Sequence, residues 1–149
     1  MIQPRKRVAA YVIRDRPVPE LLVFDHVGMP EAGTQIPAGG VRSGEGLEAA
    51  VLREVEEETG LRTATVVRQV MVEDKPHPQT RHPRRTTFFH LRVPPYTVDA
   101  WSHTVRGEGG DAGLMFACRF VPLPLERALA DEQDAWLGRI DPVWTTRRG

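Results

Sequence analysis

Short runs of apolar and β-branched residues predict a series of β-strands along the chain. The predicted strands span residues 8–13, 21–24, 63–72, 86–93, 101–105 and 114–121, and residues 34–36 form a further short candidate. Proline, glycine or charged residues bound each run, which is typical of strands separated by turns. The proline-rich residues 74–85 and the glycine-rich residues 107–113 are predicted to be loops.

Two segments have the pattern of helices. Leu47–Thr59 contains no glycine or proline, is rich in Ala, Leu, Arg and Glu, and is followed by Gly60, a residue suited to a helix C-cap. Residues 125–137 form a second amphipathic pattern, and residues 141–149 are predicted to be a loose tail. The predicted order of elements is strands, helix, strands and helix. In a chain of 149 residues, this order predicts one α+β or mixed α/β domain over 1–149.

The acidic residues of the first helix lie on its apolar side. At about 100° per residue, an apolar stripe repeats at every fourth position from Leu47, and Glu54 and Glu58 share that stripe while Glu57 flanks it. Acidic side chains near a helix C-terminus oppose the macrodipole, and like charges at i, i+4 repel. A solvated acidic face would lie opposite the stripe instead. A hard divalent cation such as Mg²⁺ would remove both penalties, so the helix is predicted to carry a metal site.

Composition narrows the classes of function. Twenty basic and twenty acidic residues give a formal net charge of zero, which argues against a nucleic-acid or anionic-membrane partner. The single cysteine, Cys118, excludes an intrachain disulfide and a multi-cysteine zinc site and is predicted to be buried. No apolar stretch approaches the roughly 20 residues of a membrane span. A cytoplasmic location is predicted.

The residues around the first helix complete a known pattern. In order they are Gly39, Glu45, Arg53-Glu54-Val55, Glu57-Glu58 and Gly60-Leu61. This series resembles the Nudix box, Gly-x5-Glu-x7-Arg-Glu-U-x-Glu-Glu-x-Gly-U with U aliphatic, and all nine fixed positions match over 23 residues. The chain is therefore identified as similar to Nudix hydrolases.

The resemblance implies a mixed β-sheet sandwiched between helices. It also implies an enzyme that hydrolyses a nucleoside diphosphate linked to another moiety, with Mg²⁺ or Mn²⁺ held against the pyrophosphate. Arg53 would orient the glutamates, and Glu45 would support them from outside the metal shell. The implied metal ligands are the carboxylates of Glu54, Glu57 and Glu58 and a backbone carbonyl at Ala38 or Gly39.

The resemblance also implies a general base. Members of the family differ in where this base lies, and it is often a carboxylate on a loop outside the box. Glu108 and Asp111 in the glycine-rich loop are the candidates, with a role as ordinary turn residues as the alternative. The sequence departs from many relatives at Arg42, where an acidic residue is common. This departure is expected to reduce the number of ions held rather than to abolish metal binding.

The resemblance implies a small-molecule nucleotide as the substrate, and the sequence leaves the identity of that nucleotide open. Pro76 stands at a spacing similar to that of ADP-ribose-hydrolysing members, but the long N-terminal extension of many of those enzymes is missing. Arg81, Arg84 and Arg85, together with His77 and His82, are predicted to clamp distal phosphates, with a solvated loop as the alternative. Trp101, Phe88 and Phe89 are expected to be core residues rather than a base-stacking platform.

Two other classes of function are weighed against hydrolysis. A catalytically weak nucleotide-sensing Nudix module is the first, and the intact Arg53-Glu54 and Glu57-Glu58 pairs argue against it. A DNA- or RNA-binding role is the second, and the zero net charge argues against it. A homodimer is left open as the assembly.

Overall fold

The computed structural model describes residues 2–147 and contains one mixed β-sheet. Its strands are β1 (Arg5–Arg14), β2 (Glu20–His26), β3 (Ala38–Gly40), β4 (Thr65–Asp74), β5 (Arg84–Val93), β6 (Ala100–Thr104) and β7 (Met115–Pro122). The order is β4-β5-β1-β2-β7-β6, and β3 pairs with β1. Strands β1 and β5 are parallel and the other pairs are antiparallel, so the predicted mixed sheet is confirmed.

The central strand β1 buries both of its faces. Val8, Ala10 and Val12 pack in one hydrophobic cluster together with helix α1 (Leu47–Thr59). Residues Ala9 and Tyr11, which point to the opposite face, pack in a second cluster with the C-terminal part of the chain. Because side chains alternate between the faces of a strand, this continuous apolar run predicts a strand covered on both sides, as the resemblance implied.

Helix α1 has the predicted bounds and the predicted C-cap. Gly60 adopts a left-handed conformation (φ 79°) and donates its N–H to the carbonyl of Glu56 at 2.8 Å, an arrangement that favours glycine. Val51 and Val55 are fully buried, as the stripe predicted. Leu47 is exposed because it occupies the first helical position, and Ala50 takes its place in the core.

The second amphipathic segment is not the helix that its pattern predicted. Residues 125–129 are extended or bent, and a 3₁₀ segment follows at Ala130–Arg139, interrupted by Asp131 (φ 53°) and Glu132 (φ 51°) in left-handed conformations. Asp131 forms ion pairs with Lys75 (3.1 Å) and Arg84 (2.8 Å). These long-range pairs hold the backbone in a conformation that a regular helix does not allow, and the local sequence does not reveal them.

Three smaller features also differ from the sequence pattern. The candidate strand at 34–36 forms an isolated β-bridge between Gln35 and Phe24. The strand that forms in this region is β3, which pairs with β1. The predicted loop at 74–85 is shorter, because β5 already begins at Arg84. A 3₁₀ turn at Pro142–Trp144 lies within the predicted tail, whose last two positions, 148 and 149, lie outside the described residues. Within residues 2–147, no helix is long and apolar enough to cross a bilayer.

Candidate active site

Strand β3 brings two glutamates of α1 against its backbone. The backbone N–H of Ala38 donates a hydrogen bond of 2.8 Å to Oε1 of Glu58. At Gly39, a Cβ atom would lie 2.3 Å from Cδ of the Glu54 carboxylate, a distance that is too short for any side chain at this position. Glycine is therefore required here so that the Glu54 carboxylate can contact the main chain of β3.

Both glutamates are buried, and burial raises their pKa values. Glu54 is 8% exposed and Glu58 is 6% exposed. Desolvation is the main cause of the shift in each, and the negative charge of Glu54 raises the pKa of Glu58 further, to well above its usual range. The prediction that these two carboxylates share the buried side of the helix is confirmed.

Arg53 connects the acidic residues of the site. Its guanidinium donates a bidentate pair to Glu45 (Nε to Oε2, 2.7 Å; Nη2 to Oε1, 2.8 Å) and a further hydrogen bond to Oε1 of Glu54 at 2.7 Å. It also donates to the carbonyl of Gly40 at 2.9 Å. Hydrogen bonds from Arg53 lower the pKa of Glu45 to about 2. The predicted orienting arginine and its supporting glutamate are thus in contact.

Glu57 lies beside the buried pair but has different partners. Its carboxylate accepts from Arg53 (Nη1 to Oε2, 3.2 Å) and from Arg42 (Nη2 to Oε1, 3.2 Å). A Cβ atom at Gly107, which has φ 91°, would lie 2.6 Å from the same carboxylate. Arg42 therefore provides a positive charge next to Glu57 where many relatives have an acidic residue. The role of Glu57 as a metal ligand stays a prediction.

A cavity of about 540 Å³ opens over these carboxylates. The loop at 105–113 forms one wall, and both predicted base candidates, Glu108 and Asp111, line it. Asp111 is partly buried and its negative charge contributes to the raised pKa of Glu58, whereas Glu108 is exposed. Both candidates thus lie at the cavity, and the charge of Asp111 interacts with the carboxyl group of Glu58.

The three arginines predicted to clamp phosphates are not among the residues that line this cavity. Arg84 is 8% exposed and is held by Asp131 through Nη2 at 2.8 Å. Arg85 is half-exposed and pairs with Asp74 at 2.8 Å. Arg81 lies on the exposed turn between β4 and β5, with φ 63°. Arg84 and Arg85 belong to β5, so their backbones are fixed by strand pairing and do not move with the loop.

Sequence reasoning overlooked other basic residues that do line the cavity. Arg5 and Arg7 come from β1, and Arg106 comes from the loop before β7. His77, which the sequence predicted to be part of the phosphate clamp, also lines the cavity from the loop between β4 and β5, whereas His82 is not among the lining residues. The alternation of Arg5, Arg7 and Ala9 on one face of a strand was a detectable signal. Whether these arginines reach the cavity depends on the pairing of β1 with β3, which brings Arg7 opposite Gly40.

The donor set suits a hard divalent cation. Glu54 and Glu58 supply oxygen atoms that are buried and like-charged, and the main chain of Ala38–Gly39 lies against them with no side chain in between. Oxygen ligands of this kind are preferred by Mg²⁺ and Mn²⁺. Within residues 2–147, no three His, Cys, Asp or Glu side chains are grouped closely enough to hold an ion. Glu54 and Glu58 would supply two carboxylate ligands to such an ion, and water and substrate oxygens would supply the others.

The buried pair predicts how stability depends on pH without metal. Because the pKa of Glu58 is raised, the folded protein binds more protons than the unfolded chain between the ordinary glutamate pKa and the raised value. The free energy of unfolding should therefore fall as pH rises through this window. We expect the Tm measured in EDTA to fall more steeply between pH 5 and pH 8 in the wild type than in Glu58→Gln. Parallel Tm profiles would contradict the assignment.

A model of the NUDIX domain matches residues 4–139, and the chain belongs to the Nudix family. Membership makes it a Nudix hydrolase, an enzyme class that acts on phosphoanhydride bonds and generally uses divalent metal ions. This assignment confirms the family and the enzyme class that the box predicted. No curated protein matches the chain in sequence.

Solved structures of low sequence identity share the fold. A UDP-X diphosphatase is 19% identical with a TM-score of 0.66, over 100% of this chain and 66% of that chain. An Ap4A hydrolase from C. elegans is 15% identical with a TM-score of 0.55, over 80% and 81%. The NUDIX domain of Shewanella oneidensis NrtR, complexed with ADP ribose, is 13% identical with a TM-score of 0.53, over 82% and 75%. This chain therefore spans just under two thirds of the length of the first structure.

Proposed function

We propose that the protein is a metal-dependent pyrophosphohydrolase that cleaves a nucleoside diphosphate linked to another moiety. Water would attack one phosphorus of the diphosphate, and the bridging P–O bond would break to release a nucleoside monophosphate and the phosphorylated second moiety. Membership of the Nudix family supports this class of reaction. The NUDIX relative complexed with ADP ribose supports a nucleotide-like substrate.

One observation carries the proposal: two buried, like-charged carboxylates lie against a glycine backbone in an open cavity. Glu54 and Glu58 are each less than a tenth exposed. Within residues 2–147, Glu54 has a cationic hydrogen-bond partner, Arg53, whereas Glu58 accepts from the neutral N–H of Ala38. A buried charge costs stability unless it is paired. A divalent cation between these carboxylates and the phosphate oxygens would supply the missing charge.

The cation we propose is Mg²⁺ or Mn²⁺, held by Glu54, Glu58 and a main-chain oxygen of Ala38 or Gly39. When bound, such an ion polarises water and neutralises charge on the phosphate oxygens. Arg53 fixes the orientation of Glu54 and Glu57, and Glu45 holds Arg53 through its bidentate contact. Glu57 lies on the same cavity wall and would become a ligand after release from Arg42.

A carboxylate of the 105–113 loop would accept the proton of the attacking water. Both Asp111 and Glu108 line the cavity, and the charge of Asp111 acts on Glu58. We therefore expect Asp111→Asn to reduce kcat by roughly 10²–10⁴-fold, as for other general bases, and Glu108→Gln to have a smaller effect. The measurement is kcat as a function of pH for both variants and the wild type.

The two variants also separate the candidates. Loss of the acidic limb of the pH profile in Asp111→Asn alone would identify Asp111 as the base. Loss of that limb in Glu108→Gln alone would contradict this choice and would return the role to Glu108. Wild-type profiles in both variants would show that neither carboxylate accepts the proton.

The proposed function is tested by a panel of nucleotides assayed with millimolar Mg²⁺ or Mn²⁺ and with EDTA. The panel contains UDP-sugars, diadenosine polyphosphates, ADP-ribose and nucleoside triphosphates, and products are separated by chromatography and identified by ³¹P NMR. We expect metal-dependent release of a nucleoside monophosphate or its equivalent from at least one compound. Binding of these compounds without turnover, or turnover that persists in EDTA, would contradict the proposal.

A further inference from the structure

A second cavity adjoins the first and shares its basic wall. It has a volume of about 290 Å³ and lies between the start of β1, the loop between β4 and β5, and the 3₁₀ segment at Ala130–Arg139. Arg5, Arg7 and His77 line both cavities. A ligand bound over the carboxylates can therefore continue into the second cavity past these three side chains.

The arginines that line the second cavity outnumber its carboxylates. Arg5 and Arg84 are Cα partners on the paired strands β1 and β5, and Arg7 follows two residues later on the same face. Among the residues of the second cavity, the only carboxylate is Asp131, and it pairs with Arg84. Within residues 2–147, neither Arg5 nor Arg7 forms an ion pair or a side-chain hydrogen bond.

Arg7 also acts on the proposed metal site. Burial lowers the pKa of Arg7, the charges of Arg84 and Arg5 lower it further, and the charges of Asp131 and Glu58 oppose this shift. In turn the charge of Arg7 offsets part of the rise that burial causes in the pKa values of Glu54 and Glu58. Arg7 lines both cavities, so its positive charge is available to an anion that binds where they meet.

Neutral hydrogen-bond donors extend the basic wall. Nδ1 of His77 accepts the backbone N–H groups of Gln79 (3.1 Å) and Thr80 (3.2 Å), so the neutral ring carries its hydrogen on Nε2. Oε1 of Gln133 accepts the N–H of Ile36 at 2.9 Å, which leaves its amide NH₂ group as a donor in the second cavity. Donors of this kind suit phosphate oxygens.

The linings of both cavities contain no Phe, Tyr or Trp. Phe88 and Phe89 are 3% exposed and belong to the core, as predicted. Trp101 is partly buried and donates Nε1–H to the carbonyl of Thr59 at 2.7 Å, at the end of α1. The side chains that line these two cavities therefore provide no aromatic ring on which a nucleobase could stack. They suit the binding of an anion instead.

We propose that the preferred substrate carries at least one phosphate beyond the scissile diphosphate. Arg5 and Arg7, with His77, bind this further phosphate at the junction of the two cavities, and the substrate class is therefore compounds with three or more linked phosphates. This inference rests on the proposed function, because it takes the first cavity as the place of hydrolysis. It assigns the recognition of the extra phosphate to β1 rather than to Arg81, Arg84 and Arg85.

A binding experiment without metal tests the inference independently of hydrolysis. Isothermal titration calorimetry in EDTA compares inorganic tripolyphosphate with pyrophosphate. One charge-assisted contact corresponds to roughly a ten- to hundredfold difference in Kd. We expect the wild type to bind tripolyphosphate at least about tenfold more tightly and Arg7→Met to lose most of that preference. The exposed Arg5→Gln variant should reduce it in the same direction.

The matched control is Arg92→Gln. Arg92 lies on β5 near the opposite end of β1, is 55% exposed and pairs with Asp15, so its loss removes the same charge far from the cavities. The control should keep the wild-type preference. Equal affinity of the wild type for the two anions, or an equal loss in Arg92→Gln and Arg7→Met, would overturn the inference.

Measurements of activity provide a second test of the inference. The kcat/KM values of diadenosine polyphosphates with two, three and four phosphates should rise with phosphate number in the wild type, and the rise should flatten in Arg7→Met. Hydrolysis with no dependence on phosphate number would overturn the inference and leave the proposed function standing. Tighter binding of tripolyphosphate, sensitive to Arg7, in a protein that hydrolyses nothing would support the anion site while contradicting the proposed function.

Discussion

Replacing Glu58 by glutamine should reduce kcat by roughly 10²–10³-fold, the equivalent of several kcal/mol of transition-state stabilisation supplied through a bound ion. Glutamine keeps the shape of the side chain and the acceptor for the Ala38 N–H, but it removes one of the two buried negative charges. The same change should raise the Tm of the metal-free protein, because it removes the cost of burying the Glu58 carboxylate and the repulsion of that carboxylate by Glu54. The measurements are steady-state kinetics with saturating Mg²⁺ and thermal unfolding in EDTA.

A glutamate on the same helix serves as the control for this variant. Glu56 is 44% exposed, points away from the cavity and pairs with Arg62. Glu56→Gln also removes one carboxylate charge from the last turns of α1 and should keep near-wild-type turnover. Near-wild-type turnover in Glu58→Gln, or an equal loss in both variants, would contradict the role given to the buried carboxylate.

The second large effect is expected from adding a single methyl group at Gly39. The new Cβ would lie 2.3–2.5 Å from the Glu54 carboxylate atoms, so Gly39→Ala forces that carboxylate away from the backbone of β3. The 2.7 Å contact with Arg53 would be disturbed as well. We expect a loss of about 10–100-fold in metal affinity or activity, the size seen when the support of a metal ligand is removed. Kinetics and Mn²⁺ affinity of the variant measure the effect.

Folding of the Gly39→Ala protein should be retained, because the obstructed group is the end of a side chain and not backbone. The matched substitution is Gly46→Ala, at the N-cap of α1, where a Cβ would meet nothing within 4 Å. This control should keep its activity. An active Gly39→Ala enzyme with unchanged metal affinity would show that close contact between Glu54 and β3 is not needed.

Local sequence patterns predicted most of the sheet and the box helix. The apolar runs of β1, β2, β5 and β7 are covered by neighbouring elements, and Gly60 ends α1 where expected. The wheel of α1 placed Glu54 and Glu58 together because their spacing on a helix fixes their relative direction. These features depend on contacts within an element, and the sequence carries them directly.

The features that were missed depend on contacts between elements. Asp131 forms ion pairs with Arg84 and Lys75, which lie more than forty positions away in the sequence. These ion pairs are formed within the segment 125–137, where the local pattern predicted a helix. Arg84 likewise seemed free because the loop was expected to extend to residue 85, whereas pairing of β5 with β1 fixes its backbone. The positions of Arg5 and Arg7 at the two cavities depend on the pairing of β1 with both β3 and β5.

We propose that Glu54 and Glu58, which lie against the main chain of Gly39, form the divalent-cation site of this protein. Electron paramagnetic resonance of free Mn²⁺ measures ion binding directly and without substrate. We predict saturable Mn²⁺ binding by the wild type and by Glu56→Gln, competition by Mg²⁺, and loss of this binding in the Glu54→Gln/Glu58→Gln double variant. Equal Mn²⁺ binding by the double variant and the wild type would contradict the claim.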